Sequence, residues 1–107
     1  MRVYRDQTIA VGPGKIALLE AIEHTGSISA AARHLKMSYR RAWLLVDETN
    51  RSLKRPAVTS SEGGASGGGT QLTETGRKLI RHYRDAEAAA IQAAAGDIKA
   101  LTALIAR

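Results

Sequence analysis

Apolar positions recur at helical spacing through most of this chain, broken at points where the residue types favour a cap or a turn. Ile16, Leu18, Leu19 and Ile22 predict a first helix from Lys15 to Thr25, stopped by Gly26 at a C-cap. Ser27 caps a short second helix lined by Ile28, Ala31, Ala32 and Leu35, and Ser38 caps a third. In the third, Ala42, Val46, Thr49 and Leu53 face inward at i, i+4, i+7 and i+11. Tyr39, Arg40, Trp43 and Leu44 are thereby turned outward.

Two stretches carry the alternation of strands instead. Arg2 to Val11 reads as a short strand or hairpin ahead of the turn at Gly12-Pro13-Gly14. Pro56 to Thr59 and Gln71 to Thr73 read as the two strands of a second hairpin, with the glycine-rich segment Ser60 to Thr70 at its tip. Thr73 is placed to cap a long helix from about Glu74, with Leu79, Tyr83, Ala86 and Ala90 along one side. Gly96 is expected to end it and Asp97 to cap a last amphipathic helix bearing Ile98, Leu101, Leu104 and Ile105. A lone protomer has too little body to cover both of these stripes.

The expected fold is therefore mainly α with a small β wing, a winged helix-turn-helix with C-terminal dimerisation helices. Residues 1–73 form the winged unit and 74–107 the dimerisation helices. At 107 residues the chain has material for one modest core.

Charge sharpens the functional reading. The formal net charge is +6, the pI about 10.2, and the excess is local. Residues 27–55 hold Arg33, Lys36, Arg40, Arg41, Arg51, Lys54 and Arg55 against Asp47 and Glu48, whereas Asp85, Glu87 and Asp97 offset Lys99 and Arg107 near the end. A polyanion is the expected partner of the middle of the chain. There is no cysteine, so disulfides and thiolate metal sites are excluded. No apolar run approaches the roughly twenty residues of a membrane span, and the N-terminus lacks an apolar signal core, which points to a cytoplasmic protein with no membrane partner. His24, His34 and His82 are scattered, and no nucleophile-and-base set or nucleotide motif assembles. Neither an enzyme, a metal site nor a cofactor is expected.

The run Gly26-Ser27-Ile28-Ser29-Ala30-Ala31-Ala32, the segment Met37-Ser38-Tyr39-Arg40-Arg41-Ala42-Trp43-Leu44-Leu45-Val46-Asp47, the polyglycine wing and Leu72-Thr73-Glu74-Thr75-Gly76 together resemble the LysR-type winged-helix group. More narrowly, over about residues 15–85, they are similar to the N-terminal DNA-binding domain of the ModE family of molybdate-responsive transcriptional regulators. The resemblance implies a homodimer on palindromic operators, in a stand-alone form. Molybdate-binding domains lie C-terminal in that family, and after residue 84 only 23 residues remain, so no molybdate site is expected in this chain. Thr49 stands where such helices usually carry leucine, and Lys36 where helix-turn-helix turns commonly carry glycine.

Double-stranded DNA thus becomes the expected partner. Arg40 is assigned to the bidentate reading of guanine, Arg41 to phosphate or to a solvated surface, Tyr39 to phosphate through its hydroxyl or to a staple against the preceding helix, and Trp43 to thymine methyl or sugar or to the core, with Leu44 counted on the same DNA-facing side. Ser27 and Ser38 start helices whose free N–H groups favour an anion. Lys15, in a Gly-Pro-Gly-Lys turn without the full phosphate-loop pattern, is assigned to a DNA phosphate, and Gly67 and Gly68 of the wing to the adjacent backbone. The alternative reading is a winged-helix module for protein–protein interaction, or a DNA-binding subunit that receives its signal from a partner protein.

Overall fold

The computed structural model describes residues 1–61 and 69–106 and is mainly helical with two small antiparallel sheets. The first sheet is a hairpin of β1 (Val3–Arg5) and β2 (Thr8–Val11), paired Tyr4 to Ile9 and Arg5 to Thr8, with Asp6 at φ 55° in the turn. Asp tolerates that left-handed conformation better than most residues. Pro13 then opens α1 (Pro13–Thr25), where its missing N–H has no intrahelical partner to lose, and Gly26 ends it at φ 72° while its N–H reaches Ile22 O.

α1 is the hub of the molecule. Ile16, Leu18, Leu19 and Ile22 are essentially inaccessible to solvent, and α2 (Ile28–His34), α3 (Tyr39–Ser52), the strand Gly69–Leu72 and the helix Glu74–Ala93 all pack around α1. Ala31 and Ala32 of α2 and Ala42 of α3 are buried too, small enough for the two helices to approach closely. The side chains of Ser27 and Ser38 accept from Ala30 N and Arg41 N, as caps should. Between these helices Lys36 adopts φ 57°, the conformation in which glycine is free of strain. Thr49 is buried but not orphaned, because its hydroxyl donates to Leu45 O at 2.7 Å.

β3 (Val58–Ser61) and β4 (Gly69–Leu72) form the second hairpin in the register Val58–Leu72 to Ser61–Gly69. It is fastened to the body at several points. Thr70 N donates to Gly26 O, and the side chain of Asn50 accepts from Ala57 N and Val58 N while donating to Val58 O. Thr73 caps α4 (Glu74–Ala93) by accepting from Gly76 N, and its hydroxyl donates to Pro56 O.

Two expectations about the C-terminal part are corrected. The break between α4 and α5 (Ala95–Leu104) falls at Ala94, and Gly96 lies inside α5 rather than ending α4. Asp97 sits in the first turn of α5 without capping it, and there it favours the positive end of the helix dipole. None of the residues of α5 is buried. Among the described residues no helix is long and apolar enough to cross a membrane.

Arg84 ties α4 to α1. Its guanidinium meets Glu20 at two points, Nε to Oε2 at 3.1 Å and Nη2 to Oε1 at 2.6 Å, and reaches Glu87 at 2.9 Å. Hydrogen bonding from Arg84 holds the Glu20 carboxyl below its ordinary range, against the opposing effect of partial burial. A carboxylate whose folded-state pKa is depressed adds stability that is full above the unfolded value and fades as pH falls through the folded one. Melting temperature should therefore decline below about pH 4.3, the ordinary glutamate value, and Arg84→Ala should flatten that decline. Both side chains are well over a third exposed, at 42% and 38%, so after solvent screening the pair is worth about 1 kcal/mol or less.

Candidate functional site

The outer face of α3 carries aromatic, aliphatic and basic side chains that are exposed together. Tyr39, Trp43 and Leu44 are 55%, 47% and 47% exposed, and Arg40 and Arg41 are exposed beside them. Positions i, i+1, i+4 and i+5 share one side of a helix, so Tyr39, Arg40, Trp43 and Leu44 form a continuous surface. Among the described residues neither Arg40 nor Arg41 has a side-chain partner, whereas Arg51, further along α3, is engaged by Asp47 at 2.7 Å. Trp43 is thus not the core residue that a single tryptophan usually is.

Beside this face lies a cleft of about 300 Å³ between the start of α2, the start of α3 and the β3–β4 hairpin. It is bordered by the hydroxyl-bearing residues Ser27, Ser29, Tyr39, Ser60 and Thr70, with Trp43 as one wall. Hydroxyls and exposed guanidiniums side by side suit a phosphodiester, which asks for neutral donors and positive charge together. Ser27 and Ser38 accept through their side-chain oxygens as caps, which leaves their hydroxyl hydrogens and nearby backbone N–H groups as the donors for a phosphate.

Lys15 does not belong to this surface, contrary to its assignment as a phosphate contact. It is 6% exposed, its Nζ donates to Ile9 O and it pairs with Glu48 at 2.6 Å. The reason was present in the helical period: Lys15 precedes Leu18 and Leu19 by three and four residues and so falls on the buried face of α1. Gly67 and Gly68 lie outside the described residues. Sequence reasoning also passed over Asn50, whose role depends on strand backbone seven and eight residues away. No local pattern announces such a bond. Among the described residues no group of three His, Asp or Glu side chains is arranged to hold a metal ion.

No family model matches the chain. It is 50% identical over 78 residues, 73% of its length, to the molybdenum-pterin-binding protein MopB of Rhodobacter capsulatus. It is 42% identical over 87 residues, 81% of its length, to the molybdenum transport protein ModE of Azotobacter vinelandii, and 40% identical over 77 residues, 72% of its length, to the transcriptional regulator ModE of Yersinia pestis. The matches cover 29%, 32% and 29% of those proteins, so the chain spans less than a third of the curated relatives it matches.

These similarities correct the identification made from motifs, an N-terminal DNA-binding domain of the ModE family in stand-alone form. A relative at 50% identity carries a name for molybdenum-pterin binding, so the likeness does not single out a DNA-binding domain. Because the chain matches less than a third of each relative, its length is no ground for calling it stand-alone. The exclusion of a molybdate site rested on that identification and is withdrawn with it. Two of these relatives are named for molybdenum, and the third is named a transcriptional regulator.

Proposed function

We propose that this chain is the duplex-reading part of a molybdenum-related transcriptional regulator, acting in the cytoplasm as a homodimer on an inverted-repeat operator and catalysing no reaction. In this reading α2, the turn at Lys36, α3 and the β3–β4 hairpin work as a winged helix-turn-helix spanning residues 1–73, and residues 74–107 join two copies. The observation that carries it is the row Tyr39, Arg40, Trp43 and Leu44, exposed on α3 with both adjacent guanidiniums unengaged by the described residues. B-form DNA has a major groove wide enough for one helix, and the planar fork of arginine donates two parallel bonds to guanine O6 and N7. Twofold symmetry puts the half-sites about one turn, roughly 34 Å, or a small multiple apart.

Selection of duplexes from a random pool tests the reading directly. Arg40→Ala should cost about 1–3 kcal/mol at one base position and relax the preference there. Arg41→Ala should instead weaken all duplexes alike and lower the salt slope by about one. Uniform loss across the pool for both variants rules out Arg40 as the base reader. Exposure of Trp43 and Leu44 also favours a second reading, a face that docks a protein, since both are 47% exposed and apolar. Salt-insensitive capture of a protein with no duplex preference would select that reading. A molybdate-induced rise in melting temperature would place an oxyanion site in this chain, and no rise would leave any response to another part or partner.

A further inference from the structure

The fully buried side chains of α3 are small, and Leu45 beside them is partly buried against the same core. Ala42, Val46 and Thr49 point inward and are 0%, 7% and 1% exposed. A buried line this small lets helices approach closely, so contacts at the flanks of α3 bear on its rotation about its own axis. Thr49 marks the buried line near the helix's C-terminal half, and the residues about 100° to either side of it are Glu48 and Asn50. Each is tethered to a different element. Asn50 holds the backbone of Ala57 and Val58 at the start of β3. Glu48 accepts from the Lys15 ammonium, which is anchored in turn on Ile9 O of β2.

We infer that Lys15 is a positioning residue for the reading helix. By clamping Glu48 to α1 and β2 opposite the Asn50 tether, it fixes the roll of α3, and with it the directions in which Arg40 and Trp43 project. The inference rests on the duplex-reading function proposed above and adds the device that makes reading selective. A helix measures about 5–6 Å from axis to side-chain surface, so a roll of about 20° carries a side chain through about 2 Å. Attraction to phosphate tolerates that displacement, but a two-point bond to one base does not. The Lys15–Glu48 pair should therefore govern preference between duplexes rather than affinity for duplexes in general.

Glu48→Ala is the decisive variant, because Glu48 is half exposed, at 47%, and alanine favours the helix. The left-over ammonium keeps Ile9 O and borders a pocket of about 250 Å³ that also touches Arg2 and Arg41. Binding is measured at one salt concentration to the duplex selected by the unaltered protein and to a scrambled duplex of equal length, with melting curves to verify folding. Glu48→Ala should lower the ratio of the two affinities about tenfold, the loss of one well-made base contact, because any added attraction from removing the carboxylate is common to both duplexes. Glu48→Gln, which retains an acceptor for Lys15, should restore most of the ratio. Lys15→Met combined with Glu48→Ala should be no worse than Glu48→Ala alone, provided the double variant folds; if it does not, the two Glu48 variants decide.

A folded Glu48→Ala protein that discriminates as well as the original, or loses affinity for both duplexes in equal measure, overturns the role of Lys15 and leaves the proposed function standing. An original protein that shows no preference among duplexes removes both.

Discussion

Gly76→Ala is expected to destabilise the fold by about 3 kcal/mol or more, beyond the usual range for overpacking. A Cβ at Gly76 would lie 2.3 Å from Ala57 O and 3.2 Å from Ala57 C, both backbone atoms. The carbonyl cannot step aside. It accepts from Thr73 N at 2.9 Å, while Ala57 N is held by Asn50 at 2.8 Å. The glycine is therefore required for space and not for conformation, since its backbone is ordinary helix. Elsewhere in a helix the same change gains up to about 1 kcal/mol through propensity, so the sign of the effect is diagnostic. Gly96→Ala supplies the control, because nothing lies within 4 Å of its Cβ position. Denaturant titration of both variants should show a large loss for position 76 and a small gain for position 96. Equal midpoints would mean that α4 does not cross the start of β3 as closely as the Ala57 contact implies.

What could be read from the sequence divides along the range of the interactions. Gly26, Ser27, Ser38 and Thr73 act on their own neighbourhoods, and all four do what residue type and spacing predict. The outward face of α3 was legible for a related reason: Ala42, Val46 and Thr49 fix the inner line, and a helix has only one opposite side. The mainly helical fold with small sheets follows from those same periods. Misreadings arose where a residue type invited a habitual role. A glycine near the end of a helical pattern suggested a stop at Gly96, yet the boundary between the two helices falls two residues earlier, at Ala94. A lysine after Gly-Pro-Gly suggested an outstretched cation, yet Lys15 is drawn inward by a carboxylate thirty-three residues away. Neither Glu48 nor Asn50 could be assigned from local pattern, because their partners become neighbours only once α1, α3 and β3 are assembled.

The C-terminal helices carry the other large expected effect. Ile91 on α4 and Ile98, Leu101, Leu104 and Ile105 at and beyond α5 are 45–83% exposed in one chain. The last four recur at i, i+3, i+6 and i+7, close enough to one stripe to form a continuous apolar strip. Each gains about 1.5–3 kcal/mol when fully covered. A second copy is the occupant that the proposed inverted repeat demands, because two reading helices held at a fixed distance turn the second half-site encounter into an intramolecular step. Leu101→Glu combined with Ile105→Glu should place four carboxylates in that seam per dimer and give a monomer in sedimentation. Affinity for the full inverted repeat should then fall about 100-fold or more, with binding to an isolated half-site unchanged. The body should melt as before, since α5 contributes no buried residue to it. A variant that still sediments as a dimer would move the interface away from these helices. One that is monomeric yet binds the full repeat undiminished would mean that pairing through the C-terminal segment adds nothing to recognition.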